Sequence, residues 1–428
     1  MRGLVRHFKM MYYDSELPSQ KENDPIMPRI AFINTVCTGS HGRIMDDLRR
    51  AAEGAGFTCR IFFSRGKTAG AHCVRFGDRA DVALHGAASR LFDAQALCSR
   101  RATRRLLRML DEFSPDLVHL HNAHGYYLNA PMLFAWLKKR NVPLVWTLHD
   151  CWALTGHCSH FVRANCALWK TGCHDCPLKK EYPASLLFDR SRQNWRWKKA
   201  AFAGLSRLTI VTPSKWLSDV VGESFLQGAP RRVIGNGVDL TLFTPGGETE
   251  ETRRRFGVAP DKKLLLAVAA PFDQRKGFAD ALEIARLVRS DATLIMVGLT
   301  REQVEALPAG VIGVERTDGP EELVSLYRAA DCLINPTYED TYPTVNMEAM
   351  ACGTPVAAYG VCGCTEQVAP PCGASVPVGN AQALAGAALA LCAEKPAITA
   401  ACREKAVREF DRQKAAEAYL KLYCEEIK

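Results

Sequence analysis

The sequence predicts an α/β protein made of two doubly wound, Rossmann-like domains. Three observations point there. The chain has 428 residues, 47% of them hydrophobic, which suits roughly two domains with substantial cores. Short apolar runs alternate with helical patterns along most of its length, as expected for parallel strands covered by helices on both faces. No internal repeat or low-complexity tract interrupts that alternation.

Residues 1–27 are polar and irregular, with Pro18 and Pro25 among several charges, and read as a disordered or dispensable extension. Strands are expected at Ile30–Asn34, Thr58–Phe63, Leu117–Leu120, Leu144–Leu148 and Leu208–Thr212, giving a first domain over residues 28–236. A second domain, residues 237–405, is expected to carry strands at Lys263–Ala269, Ala292–Val297, Gly310–Val314, Asp331–Asn335 and Pro355–Tyr359. The chain turns helical from about Ile398, and residues 406–428 read as a C-terminal helix.

Lys and Arg number 55 against 46 Asp and Glu, a net charge of +9. That moderate excess suits phosphates or an acidic bilayer. No nucleic-acid-binding module accompanies it, so nucleic acid is not expected as a partner. There is no run of roughly 20 apolar residues and no signal-peptide pattern, so a cytoplasmic protein is expected. The 17 cysteines then read as reduced thiols or metal ligands, not as a disulfide frame.

The stretch from Asn335 to Val356 organises the rest. It runs as strand, acidic loop, short helix and strand. Thr344 follows Pro343 and can cap a helix carrying Val345, Met347, Ala349 and Met350. Gly353 stops that helix and Pro355 bars its continuation. A helix N-terminus at the carboxyl edge of a sheet favours a phosphate. Asp340 precedes the helix, and Glu348 lies eight residues later. An ordinary strand–loop–helix connection with solvated acids accounts for the stretch equally well on physical grounds alone.

Other strand ends carry polar groups. Gly39, Ser40 and Gly42 follow the first strand and let backbone approach an anion. His121 and Asn122 follow one later strand and His149 another, where parallel sheets bind ligands. Arg275 and Lys276, with Gly277 beside them, follow the first strand of the second domain. Fixed cations there can stabilise a departing diphosphate more in the transition state than in the ground state; a plain basic turn is the alternative.

The Asp340 to Glu348 spacing, followed by Glu348-Ala-Met-Ala-Cys-Gly-Thr-Pro-Val356, resembles the E-x7-E signature of the retaining glycosyltransferases of family 4. The resemblance implies a GT-B fold, two Rossmann-like domains facing a cleft. It implies transfer of a sugar from a UDP- or GDP-sugar to a lipid-linked or saccharide acceptor, with retention and without an obligatory catalytic metal. The leaving phosphate then helps take the acceptor proton. Under it Arg275 and Lys276 stabilise the diphosphate, and Thr344 and Val345 donate backbone amides. Asp340 holds the donor sugar, Glu348 the ribose, and His149 the sugar. Gly39, Ser40 and Gly42 line the acceptor and phosphate loop, with His121 and Asn122 near the acceptor. This chain has Asp where the family has Glu, and Ala270-Pro271 where the family's arginine stands, so either Arg275 takes that arginine's part or the contact is missing. The Arg231–Asp239 segment corresponds to the interdomain junction, and the last helix crosses back to the first domain. A GT-B nucleotide-sugar isomerase and a non-catalytic nucleotide- or membrane-binding relative are the rival classes.

Within an insertion at residues 151–177, Cys158, Cys166, Cys173 and Cys176 follow a C-x7-C-x6-C-x2-C pattern bracketed by Trp152 and Trp169. Such a set supplies the thiolates a structural zinc prefers. The segment has little apolar periodicity, so something other than a core is expected to hold it; packed thiols and a disulfide or redox role are the alternatives. The Thr147–Pro177 stretch resembles a bacterial family 4 subgroup associated with polysaccharide assembly. Arg100, Arg104 and Arg108 share one helical stripe. Lys179, Lys180, Arg190, Arg192, Arg196, Lys198 and Lys199 alternate with Tyr182, Phe188, Trp195 and Trp197. These are solvated faces or points of peripheral contact with an anionic bilayer at the inner face of the membrane.

Overall fold

The computed structural model describes residues 27–428, so all but the last residue of the N-terminal extension lies outside the described residues. The chain divides into two compact units. Unit 1 holds the residues up to Thr212, Ser218–Ile234 and Ala416–Lys428; unit 2 holds Pro213–Leu217 and Gly235–Ala415.

The first half of the chain runs β1 (Arg29–Ile33), α1 (Gly39–Gly54), β2 (Thr58–Phe63), β3 (Cys73–Arg75), α2 (Arg79–Phe92), α3 (Arg100–Phe113), β4 (Leu117–Leu120), α4 (Ala130–Arg140), β5 (Leu144–Thr147), α5 (Ser191–Phe202), β6 (Leu208–Thr212), α6 (Lys215–Gly222) and β7 (Arg231–Val233). Its seven-stranded sheet has the order β3-β2-β1-β4-β5-β6-β7. All pairings in it are parallel; Ile30 lies opposite Cys59 on one side and Leu117 on the other. Local chemistry starts and stops the helices. The Asn129 side chain caps α4 by accepting from the Met132 N–H at 3.2 Å, Pro131 sits in the first turn, and Lys138, Lys139 and Arg140 face the negative end of the dipole.

The second half runs α7 (Thr249–Arg255), β8 (Lys263–Val268), α8 (Phe278–Leu287), β9 (Ala292–Val297), α9 (Arg301–Glu305), β10 (Val311–Val314), α10 (Pro320–Ala329), β11 (Cys332–Asn335), α11 (Thr344–Ala351), β12 (Val356–Tyr359), α12 (Cys364–Gln367), β13 (Gly373–Val376), α13 (Ala381–Glu409) and α14 (Arg412–Ile427). Its six strands, again parallel, take the order β10-β9-β8-β11-β12-β13. In each sheet the order reverses once, between β1 and β4 and between β8 and β11. Loops leaving the carboxyl ends of such neighbours diverge to opposite faces and open a crevice, which is where doubly wound sheets bind ligands.

The core of unit 1 is built on Ile30, Phe32, Phe63, Leu117, Val145 and Val211, and it includes Tyr419, Leu422 and Tyr423 from α14. His119 fixes that arrangement. Its Nδ1 meets Tyr423 Oη at 2.7 Å and its Nε2 meets Thr147 Oγ1 at 2.8 Å. Burial, with His149 nearby, drives its pKa down to about 3, so the ring is neutral.

Several expectations need correction. Short edge strands β3, β7 and β13 are partly exposed and carry little periodic signal. Within the Arg231–Asp239 segment the chain passes from unit 1 to unit 2 after Ile234, and Arg231–Val233 pair with β6 as the edge of the unit 1 sheet. Helix α1 begins at Gly39 itself, so Gly39, Ser40 and Gly42 lie in its first turn and not in a preceding loop. A Cβ on Gly42 would stand 2.5 Å from the Cys37 carbonyl carbon; close helix–loop packing requires that glycine. Helix α13 has the length and hydropathy of a membrane-crossing segment. It nevertheless packs along α11 and β11–β13 and buries Leu384, Leu391 and Cys402.

Candidate active site

In unit 2, β8 and β11 leave the sheet side by side. The β8 loop carries Arg275 and Lys276 to the β11 loop. Lys276 Nζ donates to Asp340 Oδ2, and Arg275 Nη1 donates to the Glu339 carbonyl at 3.0 Å. Tyr338 N–H donates back to the Arg275 carbonyl at 2.8 Å. The turn is possible because Gly277 has φ +73°, and a Cβ there would lie 2.1 Å from the Pro336 carbonyl oxygen. A side chain would push the two loops apart.

Burial works to raise the Asp340 carboxyl pKa, but Lys276, with Arg275 behind it, holds it below the usual carboxylate range. Asp340 is therefore ionised, and its Oδ1 also accepts from the Tyr342 N–H at 3.1 Å. Glu339 is 1% exposed. Of the two consecutive acids, Asp340 is the one that meets the cation.

Helix α11 starts at Thr344. Pro343 occupies the cap position and makes no side-chain cap bond, so Thr344 is the first helical residue and not the cap. Thr344 and Val345 are half-buried in that first turn, with the positive end of the dipole behind them. Glu348 follows one turn later, and its Oε2 accepts from Tyr327 Oη at 2.8 Å. Buried Asn346 ties the helix in place through Asn335 Nδ2 at 2.9 Å and Gln367 Oε1 at 3.0 Å. Arg275, Lys276 and Asp340 thus meet on the loop that leads into α11, and Glu348 lies on the first turns of that helix. Sequence reasoning missed Asp280, whose Oδ2 accepts from Tyr338 Oη at 2.9 Å and Tyr359 Oη at 2.5 Å. Its only signal is its place in the first turn of α8, a common site for a solvated acid.

In unit 1 the carboxyl ends of β4 and β5 bring His121 and His149 together. His121 Nδ1 and His149 Nε2 are 3.0 Å apart, with the rings stacked at 10°. The Asn122 carbonyl accepts from Tyr127 Oη. A second pair adjoins them. His124 Nε2 meets Asp150 Oδ2 at 2.9 Å, and His124 Nδ1 meets Tyr182 Oη at 3.1 Å. Burial opposes the Asp150 charge, yet His124 and His160 hold its carboxyl well below the ordinary range. The adjacency of Asp150 to His149 was its only sequence signal.

Cys158, Cys166, Cys173 and Cys176 line one small cavity with His157, Phe161 and Trp169. Among the described residues no three His, Cys, Asp or Glu side chains are placed to hold a metal ion. The insertion also has a core, against expectation. Trp152, Leu154, Phe161 and Trp169 are buried, and Trp195 Nε1 donates to the Trp169 carbonyl at 2.9 Å. Lys198 is 1% exposed. Its Nζ donates to the Trp152 and Thr155 carbonyls at 2.7 and 2.9 Å and lies 3.4 Å from the Trp152 ring centroid. Burial lowers its pKa to about 7. Irregular backbone hides this core from a periodicity reading. Trp195 and Lys198 accordingly do not belong to a basic–aromatic surface, whereas Arg100, Arg104 and Arg108 on α3 are exposed.

Comparison with known proteins matches both halves. A model described as Glycosyltransferase Family 4 matches residues 41–242, and one described as Glycosyl transferases group 1 matches residues 262–394. A candidate glycosyl transferase of colanic acid biosynthesis from Escherichia coli, WcaC, is 28% identical over 251 residues, 57% of this chain and 60% of that protein. The chain thus aligns with less than two thirds of that relative's length. Sucrose-phosphate synthase from Thermosynechococcus elongatus superposes with a TM-score of 0.69 at 20% identity, covering 93% of this chain and 98% of that one. HepE from Anabaena, solved in complex with UDP, gives 0.65 at 15% identity, covering 93% and 100%. These likenesses establish a shared GT-B architecture.

Proposed function

The chain belongs to glycosyltransferase family 4, and from that premise we propose that it transfers a sugar, with retention, from a nucleotide sugar to a saccharide or lipid-linked acceptor in cell-surface glycan assembly. The single observation that carries this reading is the contact at the reversal point of the unit 2 sheet: Arg275 and Lys276 hold the loop that leads into α11, with Lys276 on Asp340. It suits a nucleoside diphosphate that gains negative charge as a glycosidic bond breaks. HepE, solved in complex with UDP, and WcaC, a candidate glycosyl transferase of colanic acid biosynthesis, lend it support.

Each group has a role in that reaction. Arg275 and Lys276 meet the diphosphate and stabilise its developing charge. The Thr344 and Val345 amides add directed hydrogen bonds. Asp340 accepts from sugar hydroxyls, and Lys276 keeps it ionised for that purpose. Glu348 accepts from the ribose hydroxyls, with Tyr327 fixing its rotamer. The His121–His149 pair takes part in recognising sugar and acceptor. No side chain need act as nucleophile when the leaving phosphate accepts the acceptor proton, and no catalytic metal is required.

Incubation with UDP-, GDP- and other nucleotide sugars, with and without lipid extract, tests the reading. A cognate donor at 100 times its dissociation constant stabilises the protein by about 2.7 kcal/mol, visible as a thermal shift, and its sugar appears on an acceptor. Conversion of the donor without acceptor would reveal an isomerase. Binding without any turnover would mark a non-catalytic relative.

A further inference from the structure

Helix α2 is inside out. Its buried residues are His85, Gly86 and Ser89, whereas its solvent face presents Ala80, Ala83, Leu84, Ala87 and Leu91. The buried side is polar and hydrogen-bonded. His85 Nδ1 meets Ser99 Oγ at 2.8 Å, the Ala96 N–H donates to His85 Nε2 at 3.1 Å, and Ser89 Oγ donates to Gln95 Oε1 at 3.0 Å. Soluble helices show the reverse arrangement, since the apolar stripe normally faces the core.

The exposed stripe continues onto a loop. Leu186 N–H donates to the Arg90 carbonyl, and Phe188 stacks on Phe92 at 5.8 Å between ring centroids. Leu84 is 72% exposed, Leu186 61%, Leu187 62% and Phe188 52%, with Leu91 and Phe92 beside them. Half of the exposed large hydrophobic side chains among the described residues gather here. A contiguous patch of this kind marks a docking surface.

Charge identifies the occupant. Exposed Arg79 and Arg90 belong to α2, and Lys180, Arg190 and Arg192 flank the loop, five cations against two exposed acids, Asp78 at the helix cap and Asp189 on the loop. The loop's own acid, Asp189, is engaged by the Cys176 and Ser191 N–H groups at 2.6 and 2.8 Å. A second copy of the patch would bring the same cations against each other. An anionic bilayer satisfies both features, taking the apolar side chains below the headgroups and the cations among the phosphates. We infer that α2 and the Leu186–Phe188 loop form a membrane-insertion face specific for anionic lipid. This extends the transfer reading, because a lipid-linked acceptor would be met at that surface, but lipid binding is measured with no donor present.

The test is co-sedimentation of the full chain with vesicles containing phosphatidylglycerol and with neutral phosphatidylcholine vesicles. Preference for the anionic vesicles, weakened by salt, is expected. The double variant L187E/F188E should bind them at least ten-fold more weakly. Its melting temperature and nucleotide-sugar thermal shift should stay as in the parent, since both side chains are exposed. R190E/R192E should erase the preference for anionic lipid. Equal binding to both vesicle types, or no loss in L187E/F188E, overturns the inference. So does a self-associated state that L187E/F188E dissolves in a chain that ignores vesicles, which would make the face a protein interface. Should vesicle binding fail while transfer to a soluble acceptor persists, only the membrane face falls.

Discussion

Replacing Lys276 by Met isolates the central electrostatic claim. The substitution keeps most of the apolar stem and removes the charge. Two losses should follow, and they are separable. The first is catalytic. If Lys276 stabilises a departing diphosphate, losing one such fixed donor costs about 10²–10³ in kcat, or about 2.7–4 kcal/mol. The second is structural, because Asp340 loses the cation that Nζ supplies. The pair's side chains are 19% and 17% exposed. The cost should therefore fall at about 1–3 kcal/mol, between that of an exposed pair and that of a fully buried one. The pH dependence carries a sign. Asp340 is held below its ordinary value of 3.8, so it contributes stability above that pH which is lost as pH falls through the lower folded value. In Lys276→Met that acid-side loss should shrink, read as urea midpoints at neutral and acid pH. The double variant Lys276→Met/Asp340→Asn removes the stranded carboxylate and should regain stability while transfer remains lost. Wild-type transfer in Lys276→Met would refute the argument. Full recovery of transfer in the double variant would also refute it, since Lys276 would then serve only to hold Asp340.

Glu348→Ala should weaken donor binding by ten-fold or more while leaving the melting temperature within a few degrees, as calorimetry and a thermal melt would show; unchanged donor affinity would remove Glu348 from the ribose. Tyr423→Phe loses only the hydroxyl that meets His119 and should cost about 1 kcal/mol, whereas Tyr423→Ala opens the unit 1 core and should cost about 3–5 kcal/mol, both measurable by urea denaturation. If a structural zinc draws Cys158, Cys166, Cys173 and Cys176 to their shared cavity, purified protein should contain stoichiometric zinc that Cys173→Ser and Cys176→Ser lose. Metal-free protein with freely titrating thiols would leave those cysteines as packing residues.

The strand and helix alternation was legible because it is written in local periodicity. Strands β2, β4, β6 and β9 follow directly from apolar runs bounded by polar turns. Candidate site residues were legible for a related reason. Lys276-Gly277 and the Asp340–Glu348 spacing are local patterns at strand ends, where a doubly wound sheet exposes its loops. The edge strands escaped because three or four half-exposed residues carry no pattern. The cap at α11 was misplaced by one residue, since Pro343 itself fits the extended cap geometry.

By itself, then, the sequence determined which segments become strands and which polar groups stand at their ends. Strand order was decided only in three dimensions, and with it the neighbours of every loop. Lys276 and Asp340 lie 64 residues apart, and His119 and Tyr423 304 apart; nothing in the local pattern pairs them. The same holds for the aromatic core beneath the cysteines and for the inverted burial of α2. A side chain's burial depends on what packs against it, and periodicity reports only that two faces differ, not which of them meets water.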